Sequence, residues 1–167
     1  MGRFARWRRV VRSQGDRLRG ALHRAEEPDP LTGPAPSLNR LDALAEEFAA
    51  GQPVRWSLGG APRPLPGAVD VAAYRIIEES LADARRHAPG AAVAVRLRYD
   101  AEGVTIEVRD DGANAATPAG ETRGAGRGLA AVRGRTERVG GTFSAGPNPG
   151  GGFTVRAVLP APEEAAE

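Results

Sequence analysis

The sequence predicts an α+β fold: a two-layer α/β sandwich in which a mixed, mostly antiparallel sheet is covered on one face by helices. Three observations predict it. Apolar residues recur at helical spacing in three separate stretches, 38–50, 69–88 and 128–139. Alternating, strand-like segments stand at 53–58, 92–99, 104–110, 142–145 and 153–159. Four of them come as adjacent pairs, without the strict strand–helix alternation that builds a parallel sheet.

The chain has 167 residues and is 41% hydrophobic, which suits one domain with an additional arm. Aromatic residues make up only 5%, so Val, Ile, Leu and Ala must fill the core. There is no Cys, which excludes a disulfide framework and a thiolate metal site. His23 and His87 are too few for a histidine zinc site. All 23 basic residues are Arg, and a P-loop needs its Lys, so a Walker-type nucleotide hydrolase is excluded. The net charge of +2 is uneven: residues 1–24 hold eight Arg and one Asp, and the remainder is acidic. The high isoelectric point therefore belongs to the arm, and nucleic acid is not expected as a partner. With no apolar run of about 20 residues and no signal-peptide pattern, the chain reads as cytoplasmic.

Residues 1–26 read as a basic amphipathic helical arm, with Phe4, Trp7, Val11, Leu18 and Leu22 on one face. Contact with a partner helix, including that of a twin subunit in a homodimer, is the preferred reading over a membrane surface. Residues 27–37 carry four Pro and one Gly and form a linker. The main domain is expected over 38–160, and 161–167 as an acidic, disordered tail. Within the domain, Ser37 can cap a helix from Leu38 to about Ala50, with Leu38, Leu41, Leu44, Ala45 and Phe48 as its stripe. A strand follows, then a Pro-rich turn. The long helix from Val69 buries Val69, Ala73, Ile76, Ile77, Leu81 and Ala84. Beside that face runs a polar line, Glu79, Asp83 and His87, for which a solvated surface is the plain reading. Asp83 can pair with His87, and Arg75 with Glu79. A tight turn at 100–103 joins the next two strands.

Three clusters carry chemistry. Glu79 and Asp83, one turn apart, could face a hard cation such as Mg²⁺, which takes few protein oxygens. Asp110, closing a strand before Asp111 and Gly112, can accept from an exocyclic amine, or serve as an ordinary turn residue. Gly124, Gly126 and Gly128 before Leu129 let phosphates approach backbone N–H groups at a helix start. A dinucleotide fingerprint fails there because no strand immediately precedes it.

In that order and on those elements, the motifs resemble the C-terminal ATP-binding domain of sensor histidine kinases, of the group that pairs with NarL-type response regulators. The matching stretches are Tyr74–Ala88, Val108–Gly112, Gly126–Arg135, Pro149–Phe153 and Leu159–Pro160. The resemblance implies the fold shared with gyrase and heat-shock protein 90, ATP bound with Mg²⁺, and a lid at Ala113–Ala125. It also implies Glu79 as the acid that polarises the nucleophile, Asp83 on Mg²⁺ where the family has Asn, and Asp110 with Gly112 on adenine. Gly124, Gly126, Gly128 and Leu129 would lie under the phosphates. Neither His23 nor His87 stands in a phosphoacceptor pattern, so the chain reads as truncated, without its own acceptor. Phosphoryl transfer is then expected in trans, with a response regulator or a separate histidine-bearing phosphotransfer protein as partner. The alternatives are a nucleotide-binding pseudokinase that docks a partner and an anti-sigma-type Ser/Thr kinase.

Overall fold

The structure, a computed structural model, describes residues 35–112 and 126–163. The arm, most of the linker, the expected lid with Gly124, His23, and the residues after Glu163 lie outside the described residues.

Ser37 caps the first helical turn as its residue type predicts, its hydroxyl accepting from the Asn39 N–H at 3.4 Å. That turn is a 3₁₀ helix, Leu38–Arg40, and leads into α1, Leu41–Ala49. The whole apolar stripe from Leu38 to Phe48 is buried. Asp70 accepts from the Leu38 N–H at 3.0 Å, which ties this turn to the start of the long helix. At the other end of α1, the Arg85 guanidinium lies 4.3 Å from the Phe48 ring centroid and donates to the Phe48 carbonyl at 3.1 Å. A cation there offsets the negative end of the helix dipole.

β1 (Val54–Gly59) leads through the Pro-rich turn to α2 (Gly67–His87). β2 (Val93–Asp100) and β3 (Gly103–Asp110) form a hairpin. Asp100 accepts from the N–H groups of Glu102 and Gly103, both at 3.0 Å, which fixes the turn. α3 (Arg127–Arg138) is followed by β4 (Thr142–Pro147) and β5 (Phe153–Pro160).

The strand order is β1-β2-β3-β5-β4. β1 and β2 pair in parallel, with α2 as their crossover, and the other neighbours are antiparallel. This is the mixed, mostly antiparallel sheet that the strand pairs predict. Strand alternation separates two faces. Val93, Val95, Leu97 and Tyr99 on β2, with Val104, Ile106 and Val108 on β3, point inward and are buried beneath the helices. Ile76, Ile77 and Leu81 of α2 complete the core, and burial of each stabilises the fold by about 1.5–3 kcal/mol. On the other face Arg55, Arg96, Arg98, Arg109 and Arg156 are exposed among the described residues. Arg96 meets Glu107 there at 3.3 Å, an exposed pair of the kind that contributes little.

Two expectations are corrected. Arg75 pairs with Glu78 at 2.7 Å, not with Glu79, because Glu79 turns toward α3. Past Pro160 the chain stays attached: Ala161 is buried and donates to the Glu102 carbonyl, and Glu163 donates to that of Ala101, both at 2.9 Å. Residues 161–163 thus pair with the β2–β3 turn. Among the described residues, no helix is long and apolar enough to cross a membrane.

Candidate nucleotide site

The acidic line on α2 is not a solvated face. Asp83 is 2% exposed and lies 3.5 Å from His87 Nε2, as the i, i+4 spacing predicts. α3 packs against α2. Glu79, half-buried, meets the first turn of α3. A Cβ added to Gly128 would stand 3.8 Å from Glu79 Oε2 and 3.8 Å from an Arg86 guanidinium nitrogen. Gly128 therefore occupies a crevice between a carboxylate and a cation. Arg86, on the same edge of the helix, was not singled out from the sequence; its spacing of seven residues from Glu79, two helical turns, is the signal that could have found it.

Gly126 caps α3 in extended conformation and makes no side-chain capping bond. The first-turn N–H groups of a helix have no intrahelical acceptor and favour anions. Leu129, by contrast, is 1% exposed, so its side chain anchors α3 in the core and only its backbone can face a ligand. Gly124 lies outside the described residues.

Asp110 sits on the inward register of β3, continuing the series Val104, Ile106, Val108, and is 2% exposed. Its Oδ1 accepts from the Gly112 N–H at 3.0 Å. Gly112 takes a φ of +82°, which an L side chain rarely adopts. The turn is held from the opposite side by the β4–β5 loop. Gly152, at φ +84°, lies so close that a Cβ there would collide with the Asp110 carbonyl oxygen, and a Cβ on Gly112 would come within 2.9 Å of Gly152 N. That loop is itself closed by Asn148 N–H donating to Gly152 O at 2.9 Å and by Thr154 donating to Asn148 Oδ1 at 2.6 Å. Three successive glycines, Gly150 to Gly152, were the signal for this support.

The two clusters share one end of the molecule. Asp111 donates to the Ala92 carbonyl at 3.1 Å, and Asp110 pairs with Val93, so β3 ends where the chain has just left α2. A buried carboxylate at the end of β3 thus lies beside the start of β2, which follows the helix that carries Glu79 and Arg86. Over residues 68–163, more than half of its length, the sequence matches the family model described as histidine kinase-, DNA gyrase B- and HSP90-like ATPase. The chain belongs to that family. It carries the ATP-binding domain of histidine-kinase type, and the layered sheet described above is that family's fold.

The relatives agree. Sensor protein KdpD of Mycobacterium tuberculosis is 35% identical over 104 residues, covering 54% of this chain and 12% of KdpD. Sensor histidine kinase LnrJ of Bacillus subtilis is 29% identical over 125 residues, covering 73% of this chain and 30% of LnrJ. The chain thus spans less than a third of the length of these relatives. Among solved structures, the ATP-binding domain of PrrB from Mycobacterium tuberculosis superposes with a TM-score of 0.54 at 26% identity, covering 74% of this chain and 92% of that one.

Proposed function

We propose that this chain binds Mg-ATP and acts in the cytoplasm as the catalytic domain of a histidine-kinase-type, two-component phosphotransfer system, with the phosphoryl group delivered in trans. One observation carries the reading: β3 ends in the buried Asp110 beside the start of β2, the strand that α2 leads into, while α2 carries Glu79 and Arg86 to Gly128 at the start of α3. In it Asp110 and Gly112 hold the adenine edge. The N–H groups of Gly126, Gly128 and Leu129, with Gly124 before them and Arg86 beside them, take the phosphates. Glu79 polarises the attacking nucleophile. Catalysis is then positioning and charge stabilisation of the transferred group.

The donors present fit magnesium. Asp83 offers a hard oxygen, and among the described residues no cluster of three or more His, Cys, Asp or Glu could hold a metal by itself. An ion here would take its other ligands from phosphates and water, which is the habit of Mg²⁺. When bound it would neutralise charge on the triphosphate. The acceptor would be a histidine of a response-regulator-linked kinase or of a separate phosphotransfer protein.

The test is binding of labelled ATP in the presence of Mg²⁺. The expected result is saturable binding that falls at least about tenfold in Asp110→Ala, the loss of a charge-assisted hydrogen bond. Absence of binding at millimolar ATP sinks the proposal. Asp83 favours a second reading, since a buried acid beside a triphosphate repels it as well as drawing the metal. In that reading the chain is a nucleotide-binding pseudokinase. Asp83→Asn separates the two: phosphotransfer that appears only in the variant identifies the pseudokinase.

A further inference from the structure

α2 carries one buried polar side chain to which the nucleotide reading gives no role. Ser80 is 1% exposed, and its shielded hydroxyl makes no hydrogen bond. A helical Ser or Thr commonly turns to solvent or back onto the carbonyl one turn earlier. Thr136 on α3 does the latter, donating to the Val132 carbonyl at 2.8 Å. Ser80 does neither. An unpaired buried hydroxyl is destabilising, so its position calls for a physical account.

Helical phase locates it. At about 100° per residue, Ser80 lies roughly 60° around α2 from Asp83 and 100° from Glu79. Glu79 faces α3, and Ser80 is on the sheet side, flanked along its own helix by the fully buried Ile76 and Ile77. α2 crosses between two parallel strands, so it returns antiparallel to β1 and β2 and runs with β3. Ser80 is two turns, about 10 Å, before the end of α2. Asp110 is the last residue of β3, inward-facing, at that same end. A hydroxyl on α2 and a carboxylate on β3, both buried, thus lie toward the same end of the helix and sheet.

We infer that Ser80 is a specificity-determining residue for the base. Its hydroxyl donates to the ring nitrogen of adenine that neighbours the amine held by Asp110, directly or through one ordered water. The inference rests on the Mg-ATP reading above. Adenine presents a donor amine beside an acceptor nitrogen, which satisfies an acceptor carboxylate and a donor hydroxyl together. Guanine presents a carbonyl beside an N–H. A hydroxyl can reverse its role, but an ionised carboxylate is acceptor-only, so the pair favours adenine.

The experiment uses the full chain, wild type, Ser80→Ala and Ser80→Thr. ATP and 1-deaza-ATP, in which that ring nitrogen is a C–H, are titrated by calorimetry with Mg²⁺, and thermal unfolding is followed without nucleotide. Wild type is expected to prefer ATP over 1-deaza-ATP by about three- to tenfold, the range of one hydrogen bond. Ser80→Ala loses that preference, and Ser80→Thr retains it. Without nucleotide, Ser80→Ala unfolds at the same temperature as wild type or higher, whereas a residue needed only for packing would lower it. The inference is overturned if wild type does not distinguish the two nucleotides or if Ser80→Ala distinguishes them equally well. A wild type that binds neither at millimolar concentration overturns the Mg-ATP reading itself, a result separable from the first two.

Discussion

The two ends of the proposed site are built differently. At the base end, Asp110 is held by backbone against backbone: the Asp110–Gly112 turn and the Gly151–Gly152 loop approach so closely that glycine is required on both sides. At the phosphate end, side chains on α2 lean toward the start of α3, and the nearest atoms to a Cβ on Gly128 are flexible tips at 3.8 Å. The base end is therefore intolerant of substitution and geometrically fixed. The phosphate end can change residues while the fold persists.

The contrast can be broken at its strongest point by Gly152→Ala, which meets both a positive φ and the Asp110 carbonyl. A loss of about 2–4 kcal/mol in urea unfolding is expected. Gly146→Ala, in the neighbouring strand with no atom within 4 Å of the new Cβ, should stay within about 0.5 kcal/mol of wild type. Equal effects in the two would remove the argument for a rigid base end.

At the phosphate end, Arg86→Ala should weaken ATP binding by about tenfold, the worth of a charged hydrogen bond. Its unfolding midpoint should not move, because Arg86 is exposed. A lowered midpoint with unaltered affinity would make Arg86 structural. Gly128→Ala sharpens the comparison further. Alanine is favoured over glycine in a helix by up to about 1 kcal/mol, and the contacts at 3.8 Å are ordinary. The variant should be as stable as wild type or more so, while binding ATP less tightly; unchanged affinity would show that phosphates do not pass over this residue.

A further effect is expected away from the site and only at high pH. Burial, reinforced by the charge of Asp70, pushes the Tyr99 phenol well above its ordinary value. As pH rises past about 10, the unfolded chain gives up this proton and the folded one keeps it. Stability should then fall by up to about 1.4 kcal/mol per pH unit above that point, and be unaffected by this group below it. Tyr99→Phe should flatten the slope between pH 9 and pH 11 in urea unfolding. An identical slope in the variant would exclude Tyr99 as its source.

Much of this was legible beforehand because it depends on local periodicity. The helical stripe of α1, the hairpin at Asp100 and the inward register of Asp110 all follow from residue spacing. Glu79, Asp83 and Gly128 were recognisable by type and order, and the structure brings the three to one α2–α3 edge. What spacing did not reveal was which polar residues lose water. Asp83 lies between the apolar and solvated faces of α2, so its exposure depends on whether another helix covers that edge.

By itself, then, the sequence determined the elements, their order, the layered class and the residue types able to hold a nucleotide. These rest on interactions between residues a few positions apart, where spacing is geometry. Only the tertiary structure decided that Asp83 and Ser80 are buried, that Arg86 and Glu79 both reach Gly128, and that Gly152 supports Asp110. Each of those facts is a contact between segments distant in the chain, set by how α3 and the β4–β5 loop close on the earlier elements.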